Sequence, residues 1–352
     1  MHAYRLHAAG HSLRCDAIEI PSVENKEVLV KVAGCGVCHT DWHLQDGGFD
    51  LGGGQKLPFH GVQYPVTPGH EVSGTIVAAG PEAEDAPAGR KVLVFPWVGC
   101  GQCANCTVGL EHLCFRPQYI GIYRDGGYAD YVRVPHSRYL VDIGDLDITT
   151  AAPLACSGLT TFSAIKKFGS VPNECPLVII GAGGLGLMAV NILKMISAKP
   201  PVVLEIDPAK REAALAAGAA AVIDPRDADF AKQIRKAVGQ PVRGVLDLVG
   251  SGTTVRQGID ILAVGAKLVV VGLLGGTLEL PTPLLALKSI AIEGSFVGSL
   301  EELHELVALV RTHGAPEMPI TARPLDEAKS ILESLEHGSV VGRVVLVPSP
   351  AH

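Results

Sequence analysis

The chain of 352 residues has no surplus of positive charge: 29 Lys and Arg stand against 36 Asp and Glu, a net charge of −7. With no basic cluster either, there is no electrostatic case for nucleic acid or an anionic membrane as a partner. Long apolar runs are also missing. Stretches such as Pro176–Val190 are too short and too rich in glycine to cross a bilayer. The opening MHAYRLHAAGHSL has no apolar stretch of the secretory kind, so a cytoplasmic location is expected. Internal repeats and low-complexity segments are absent. What is there is globular: 47% apolar and 18% charged residues, in a chain long enough for two domains.

The nine cysteines are an odd count, which together with the missing secretion signal points to reduced thiols in a reducing compartment. Up to about residue 150 the chain is punctuated by Gly and Pro, and short β-branched runs predict strands at Val28–Val32, Val72–Val77, Lys91–Phe95 and Tyr128–Val134. The middle alternates differently. Strands are predicted at Pro176–Ile180, Val202–Leu204, Ala221–Ile223, Val245–Val249 and Lys267–Val271, with helices from the glycine loop to about Ser197 and over Lys210–Ala217. Buried strands alternating with helices are the pattern of a parallel α/β sheet. Near the end, Leu300, Leu303, Leu306, Val307 and Val310 share one helical face, as do Ala328, Ile331, Leu332 and Leu335, with Gly338 placed to stop the second helix. A last strand is predicted at Arg343–Val347. The division expected is 1–155, with a lobe at 96–116, then 156–295, then a return over 296–352.

Cys100, Cys103, Cys106 and Cys114 offer four soft thiolates on one tight loop, joined by the turn formers Gly101 and Asn105. Four thiolates around Zn²⁺ leave no open position, which defines a structural site. The spacing differs from those usual for iron–sulfur clusters. Unliganded thiols or a disulfide pair are the plain alternative.

Gly181-Ala-Gly183-Gly184-Leu185-Gly186 is a weak signal alone in a chain with 41 glycines. Its context strengthens it: the loop follows a predicted strand and opens a helix, and Glu205 ends the next strand nineteen residues past Gly186. Glycines there let the backbone approach a pyrophosphate at a helix N-terminus, and the acid binds the adenosine ribose. Glu205 would repel a 2′-phosphate, which favours NAD(H); Arg211 is the counter-signal.

The segment Cys38-His39-Thr40-Asp41-Trp42-His43 packs a thiol, two imidazoles, a hydroxyl and a carboxylate into six positions, and Gly69-His70-Glu71 and Cys156 stand far off. Spacing cannot join them. However, GVCHTDWH, PGHE, the four-cysteine lobe, Pro153–Thr161, GAGGLG and Gly342-Arg343 occur in one order along essentially the whole chain. In that order the chain resembles the zinc-containing alcohol dehydrogenases of the medium-chain dehydrogenase/reductase superfamily.

The resemblance implies an α/β protein with a GroES-like β-rich catalytic domain and a Rossmann doubly wound parallel-sheet cofactor domain. It implies two Zn²⁺ per chain, with the catalytic one on Cys38, His70 and Cys156, a ligand set that general zinc chemistry exemplifies by alcohol dehydrogenase itself. Glu71 would lie beside that ion and Asp41 would orient His70. Thr40 would touch the substrate oxygen, and a proton would leave through Thr40, the nicotinamide ribose and His43 as hydride passes to NAD⁺. His39 and Arg343 would meet the pyrophosphate, Thr160 the nicotinamide, and Lys210 with Glu205 the adenosine ribose. Trp42, Trp97 and Phe296 would line a pocket with an apolar bias. Plain alternatives stand beside several of these: Asp41 as a helix cap, His43 as a surface histidine, Arg343 and Lys210 as solvated charges, the tryptophans as core.

Between Cys38 and His70 lie 31 residues, more than in shorter family members, and Phe49, Leu51, Phe59 and Tyr64 there make either a lid over apolar substrates or a surface loop. The 41 residues between Cys114 and Cys156 resemble the compact form of the family, which implies a homotetramer, a dimer being the alternative. The competing functions are a polyol dehydrogenase, an NADP-linked aldehyde or ketone reductase, and a non-catalytic zinc- and dinucleotide-binding scaffold.

Overall fold

Apolar runs without alternation are suited to strands buried on both faces, and three of them form the middle of a six-stranded parallel sheet. The computed structural model describes residues 1–349. In it the sheet order is Ala221–Ile223, Val202–Leu204, Val178–Ile180, Gly244–Asp247, Lys267–Val270 and Ala291–Gly294, every pair parallel. Successive side chains point to opposite faces. Ile179, Val203, Leu246 and Val269 therefore face the core shared with the helix Gly184–Ile196. Val178, Ile180, Val202, Leu204, Val245 and Leu268 face Ile234 and Ile259 of the helices Phe230–Val238 and Gly252–Ile261. This is a doubly wound sheet, and its strand order reverses beside Val178–Ile180. The crevice at that switch point is where open α/β sheets bind ligands.

The second large sheet runs Ile320–Pro324, Arg343–Val347, Val28–Gly36, Glu71–Ala79, Lys91–Val94 and Leu140–Asp142, and Tyr131–Val134 pairs with the first half of Val28–Gly36. The end of that central strand pairs instead with the last strand of the chain, Cys35 opposite Leu346 and Gly36 opposite Val345. The predicted strand at Tyr128 begins later, at Tyr131. Gly126, Gly127 and Tyr128 turn inward, where their amides bond the carbonyls of Thr67 (2.7 Å), Gly69 (2.8 Å) and Pro68 (3.0 Å).

The two C-terminal helices form as their patterns predict. Leu300–His313 starts from a Ser299–Glu302 capping box and buries Leu303, Leu306, Val307 and Val310. Ala328–Glu336 buries Ala328, Ile331, Leu332 and Leu335. The segment after the helix His39–Asp46 is not an irregular loop: Gly48–Gly52 and Gln55–Pro58 form an antiparallel hairpin. Its first strand leans on the loop that follows Lys267–Val270, with Asp50 against Gly275 and Gly52 against Thr277. Among the described residues no helix is long and apolar enough to cross a membrane.

Candidate active site

Register creates the site. Gly36 at the end of one strand lies opposite Glu71 at the start of the next, so Cys38 and His70, just beyond the paired ends, meet. Cys156 arrives from the opposite direction, at the N-terminus of the buried helix Ser157–Lys166. One ligand atom each from Cys38, His70, Glu71 and Cys156 lies within 4.8 Å of all the others. Residues that spacing could not connect are thereby brought together.

His70 is fully buried. Its Nδ1 is 3.0 Å from Asp41 Oδ1, and a carboxylate oxygen only accepts, so Nδ1 carries the proton. Nε2 has no hydrogen-bond partner. A buried ring nitrogen without a hydrogen-bond partner, close to two cysteine sulfurs and with its other nitrogen fixed by Asp41, fits a metal ligand. The thiols support the same reading. The Cys38 thiol lies well below its ordinary pKa because Cys156 hydrogen-bonds it and His70 stands beside it. Cys156 lies well above, because of that same bond and its burial. The two thiols pull each other in opposite directions, and a cation between them would let both ionise.

Asp41 serves two of the expected purposes at once. Its Oδ2 accepts from the Cys38 amide at 3.0 Å, closing the N-terminus of the helix His39–Asp46, while Oδ1 takes His70 and the Gly69 amide at 3.1 Å. A fourth donor, the phenol of buried Tyr128, reaches Oδ2 at 3.0 Å. Tyr128 also walls Gly69, which sits at φ +94 with no room for a Cβ beside that ring. Sequence reasoning did not single out Tyr128, and its only signal was the Gly126-Gly127-Tyr128 turn.

Glu71 is fully buried, bonds the Ser157 amide at 3.2 Å and pairs with Arg343. Burial raises its pKa to about 7 against the opposing pull of Arg343. Arg343 is thus a buried ion-pair partner, not a solvated charge, and its side chain lies against Gly184 of the glycine loop. Thr40 Oγ1 is 3.8 Å from Cys38 Sγ, and Thr160 Oγ1 is 3.9 Å from Cys156 Sγ. His43 is buried, with an unpartnered Nδ1. Its ring packs on Trp42 and on Phe49 of the hairpin at 4.9 and 4.7 Å, and burial pushes its pKa down.

Trp97 is buried, its ring 5.3 Å from that of His70, 5.2 Å from Tyr119 and 5.7 Å from Phe296. The exposed Phe296 and the unforeseen Tyr119 complete an aromatic wall beside the metal-type cluster. Trp42 stands with His43 instead.

The glycine loop follows the strand Val178–Ile180 directly and opens the helix Gly184–Ile196, with no side chain capping its first amides. Gly181 has φ +94, and a Cβ at Gly186 would overlap the Gly181 carbonyl, so neither position takes another residue without strain. Glu205 is buried, its Oε2 accepting from the Ala182 amide at 2.7 Å and Oε1 from Ile206 and Asp207 at 2.8 and 2.9 Å. Lys210 does not reach Glu205; its Nζ donates to the Gly338 carbonyl at 2.7 Å. His39 opens the helix His39–Asp46, and burial pushes its pKa down.

The four-cysteine lobe gathers around the short helix Ala104–Thr107 and the turn Glu111–Leu113. Cys103 Sγ is 3.5 Å from Cys106 Sγ and 3.8 Å from Cys114 Sγ, close to the roughly 3.8 Å edge of a tetrahedron with zinc–sulfur bonds of about 2.3 Å. Backbone amides of Cys106 and Phe115 bring the Cys103 thiol down to about 6, while burial pushes Cys106 up to about 12. As in the first cluster, a cation is what lets all four ionise together.

Known proteins share this architecture. Residues 24–145 match the family described as Alcohol dehydrogenase GroES-like domain, and residues 184–312 match Zinc-binding dehydrogenase. NAD-dependent alcohol dehydrogenases of Sulfurisphaera tokodaii and Saccharolobus solfataricus are each 38% identical, over 99% of this chain and 100% of theirs. The crystal structure of the alcohol dehydrogenase from Aeropyrum pernix superposes with a TM-score of 0.88 at 34% identity, over 99% of this chain and all of that one.

Proposed function

Since the chain belongs to the zinc-binding, NAD-dependent alcohol dehydrogenases, we propose that it interconverts apolar or aryl alcohols and their carbonyl products at the Cys38–His70–Cys156 centre. The observation carrying this reading is the unpartnered Nε2 of fully buried His70, between two sulfurs, with Nδ1 tied to Asp41. A zinc ion held there supplies the Lewis acidity that makes an alcohol hydroxyl easier to deprotonate. Thr40, beside Cys38, binds the substrate oxygen. His43, neutral at ordinary pH because burial lowers its pKa, accepts the departing proton at a ring nitrogen. Glu71 and Arg343 form the buried ionic floor that ties the centre to the glycine loop.

NAD(H) is held by the amides at the start of Gly184–Ile196, by Glu205 at the adenosine ribose, by Thr160 at the nicotinamide, and by His39 and Arg343 near the pyrophosphate. Lys210 joins the ribose contacts on leaving Gly338. The apolar preference is supported by Trp97, Tyr119 and Phe296 beside His70 and by Trp42 near the hairpin. The hairpin acts as a lid, supported by Phe49 on His43 and Phe59 on Phe49. We assign one zinc to each cluster, the lobe's being structural, and take the active form as a cytoplasmic homotetramer. The division at 155 and 295 places the cofactor sheet in its own domain, with the last strand returning to the catalytic sheet.

Metal analysis and a substrate panel test this together. Two zincs per chain and turnover of aliphatic or aryl alcohols with NAD⁺ are expected. Turnover of polyols alone would redirect the substrate assignment, and no turnover of any alcohol would leave only a scaffold.

A further inference from the structure

The adenosine-ribose end of the crevice holds two arginines. Arg211 donates through Nη1 to Asp224 Oδ2 at 2.6 Å, and to the carbonyls of Glu205 and Ile206 at 3.3 and 3.1 Å. Arg226 donates through Nη2 to the same Asp224 Oδ2 at 2.5 Å and through Nε to Oδ1 at 2.9 Å, and it also reaches the Ile206 carbonyl at 2.9 Å. Asp224 follows the strand Ala221–Ile223, whose neighbour ends in Leu204, and the Glu205 amide bonds the Ile223 carbonyl at 3.1 Å. One carboxylate therefore holds two guanidiniums next to the turn that carries Glu205.

A 2′-phosphate brings close to two negative charges and three acceptor oxygens, and planar guanidinium forks are the donors that suit it best. This crevice has both forks in place. Both forks, however, are already paired with Asp224. We propose that Asp224 determines cofactor specificity together with Glu205: Glu205 repels the 2′-phosphate, and Asp224 keeps Arg211 and Arg226 from binding it. Discrimination then has a repulsive and a withholding component, as selective sites commonly do. The two acids balance the two arginines, so removing either acid alone leaves the other at work. The inference rests on the placement of the adenosine ribose at Glu205.

The test uses the zinc-loaded full chain, with NADH and NADPH titrated separately by nicotinamide fluorescence. Glu205→Ser should weaken NADH and improve NADPH by about tenfold, since like-charge repulsion is relieved while the arginines stay tied. Glu205→Ser with Asp224→Ser should improve NADPH by roughly a further tenfold to hundredfold, the range of one charge-assisted hydrogen bond. That gain should shrink with added salt and vanish when Arg211→Ala and Arg226→Ala are combined in the same background. A merely structural role for Asp224 would weaken both cofactors alike and leave no salt dependence specific to NADPH. Asp224→Asn, which keeps the shape and removes the charge, serves if serine loosens the turn. NADPH binding no tighter in the double variants than in Glu205→Ser would overturn the proposal. If Glu205→Ser leaves NADH binding unchanged, the ribose placement itself fails and the proposal with it.

Discussion

Tyr128 and Asp41 lie 87 residues apart in sequence, yet the buried phenol donates to Asp41 Oδ2 at 3.0 Å, on the carboxylate that fixes His70. Tyr128→Phe keeps the ring that packs on Gly69 and removes only the hydrogen bond. Groups that hold a metal's histidine commonly matter tenfold to a hundredfold in metal affinity. We therefore expect a chelator to strip zinc from the Cys38 cluster about tenfold faster in this variant, with the four-cysteine lobe unaffected. Release followed with a zinc-sensitive dye, at matched melting temperature, checks it. Equal rates for variant and parent would assign Tyr128 to packing alone.

Cys38→Ala separates the two clusters. One zinc per chain should remain, on Cys100, Cys103, Cys106 and Cys114, and the fold should persist while alcohol oxidation is lost. Elemental analysis beside a steady-state assay decides this. Full turnover with a single zinc would move the chemistry elsewhere.

His43 is buried and its pKa is lowered, so the neutral ring persists below the usual histidine range. It can accept a proton across that window and loses the ability only when pH falls through its depressed pKa. His43→Ala should consequently cost about tenfold in kcat near pH 6 and little near pH 9, where solvent takes the proton readily. The pH–rate profile is the measurement, and one parallel to the parent's would remove His43 from the proton route.

Phe296 is 42% exposed, its ring resting on Trp97. Phe296→Ala removes an aromatic contact worth about 0.5–1.5 kcal/mol beyond area. KM for an aryl alcohol should rise severalfold to tenfold, with kcat and the KM for ethanol nearly unchanged. A matching fall in kcat for both alcohols would mean that the residue shapes the centre and not the pocket.

Features carried by short-range spacing were legible in the sequence. The four cysteines lie on one loop, and the glycine loop sits between a strand and a helix, so each signal is local. Cys38, His70 and Cys156 could not be joined this way, because a strand register and an opposing helix terminus bring them together; the family resemblance supplied that link. Arg343 was harder. A lone arginine near a chain end reads as solvated, and only the pairing of the last strand with Cys35 and Gly36 buries it against Glu71. Lys210 was named for the ribose yet rests on Gly338, a distant carbonyl that local pattern cannot reveal. By contrast, the helix Phe230–Val238 rests on a local pattern: Phe230, Ile234 and Val238 recur at helical spacing, and Ile234 and Val238 are buried.

The pairing of Arg343–Val347 with Val28–Gly36 also sets an order for biogenesis. Glu71 leaves the ribosome 272 residues ahead of its partner Arg343, an interval of roughly 15–50 s at 5–20 residues per second. Throughout it, part of one edge of a central strand is open and a carboxylate destined for burial has no cation. A nascent chain in that state exposes the kind of strand edge that templates aggregation. Chaperone demand during synthesis should therefore fall on the sheet built around Val28–Gly36 and Glu71–Ala79, whose relieving strand is made much later.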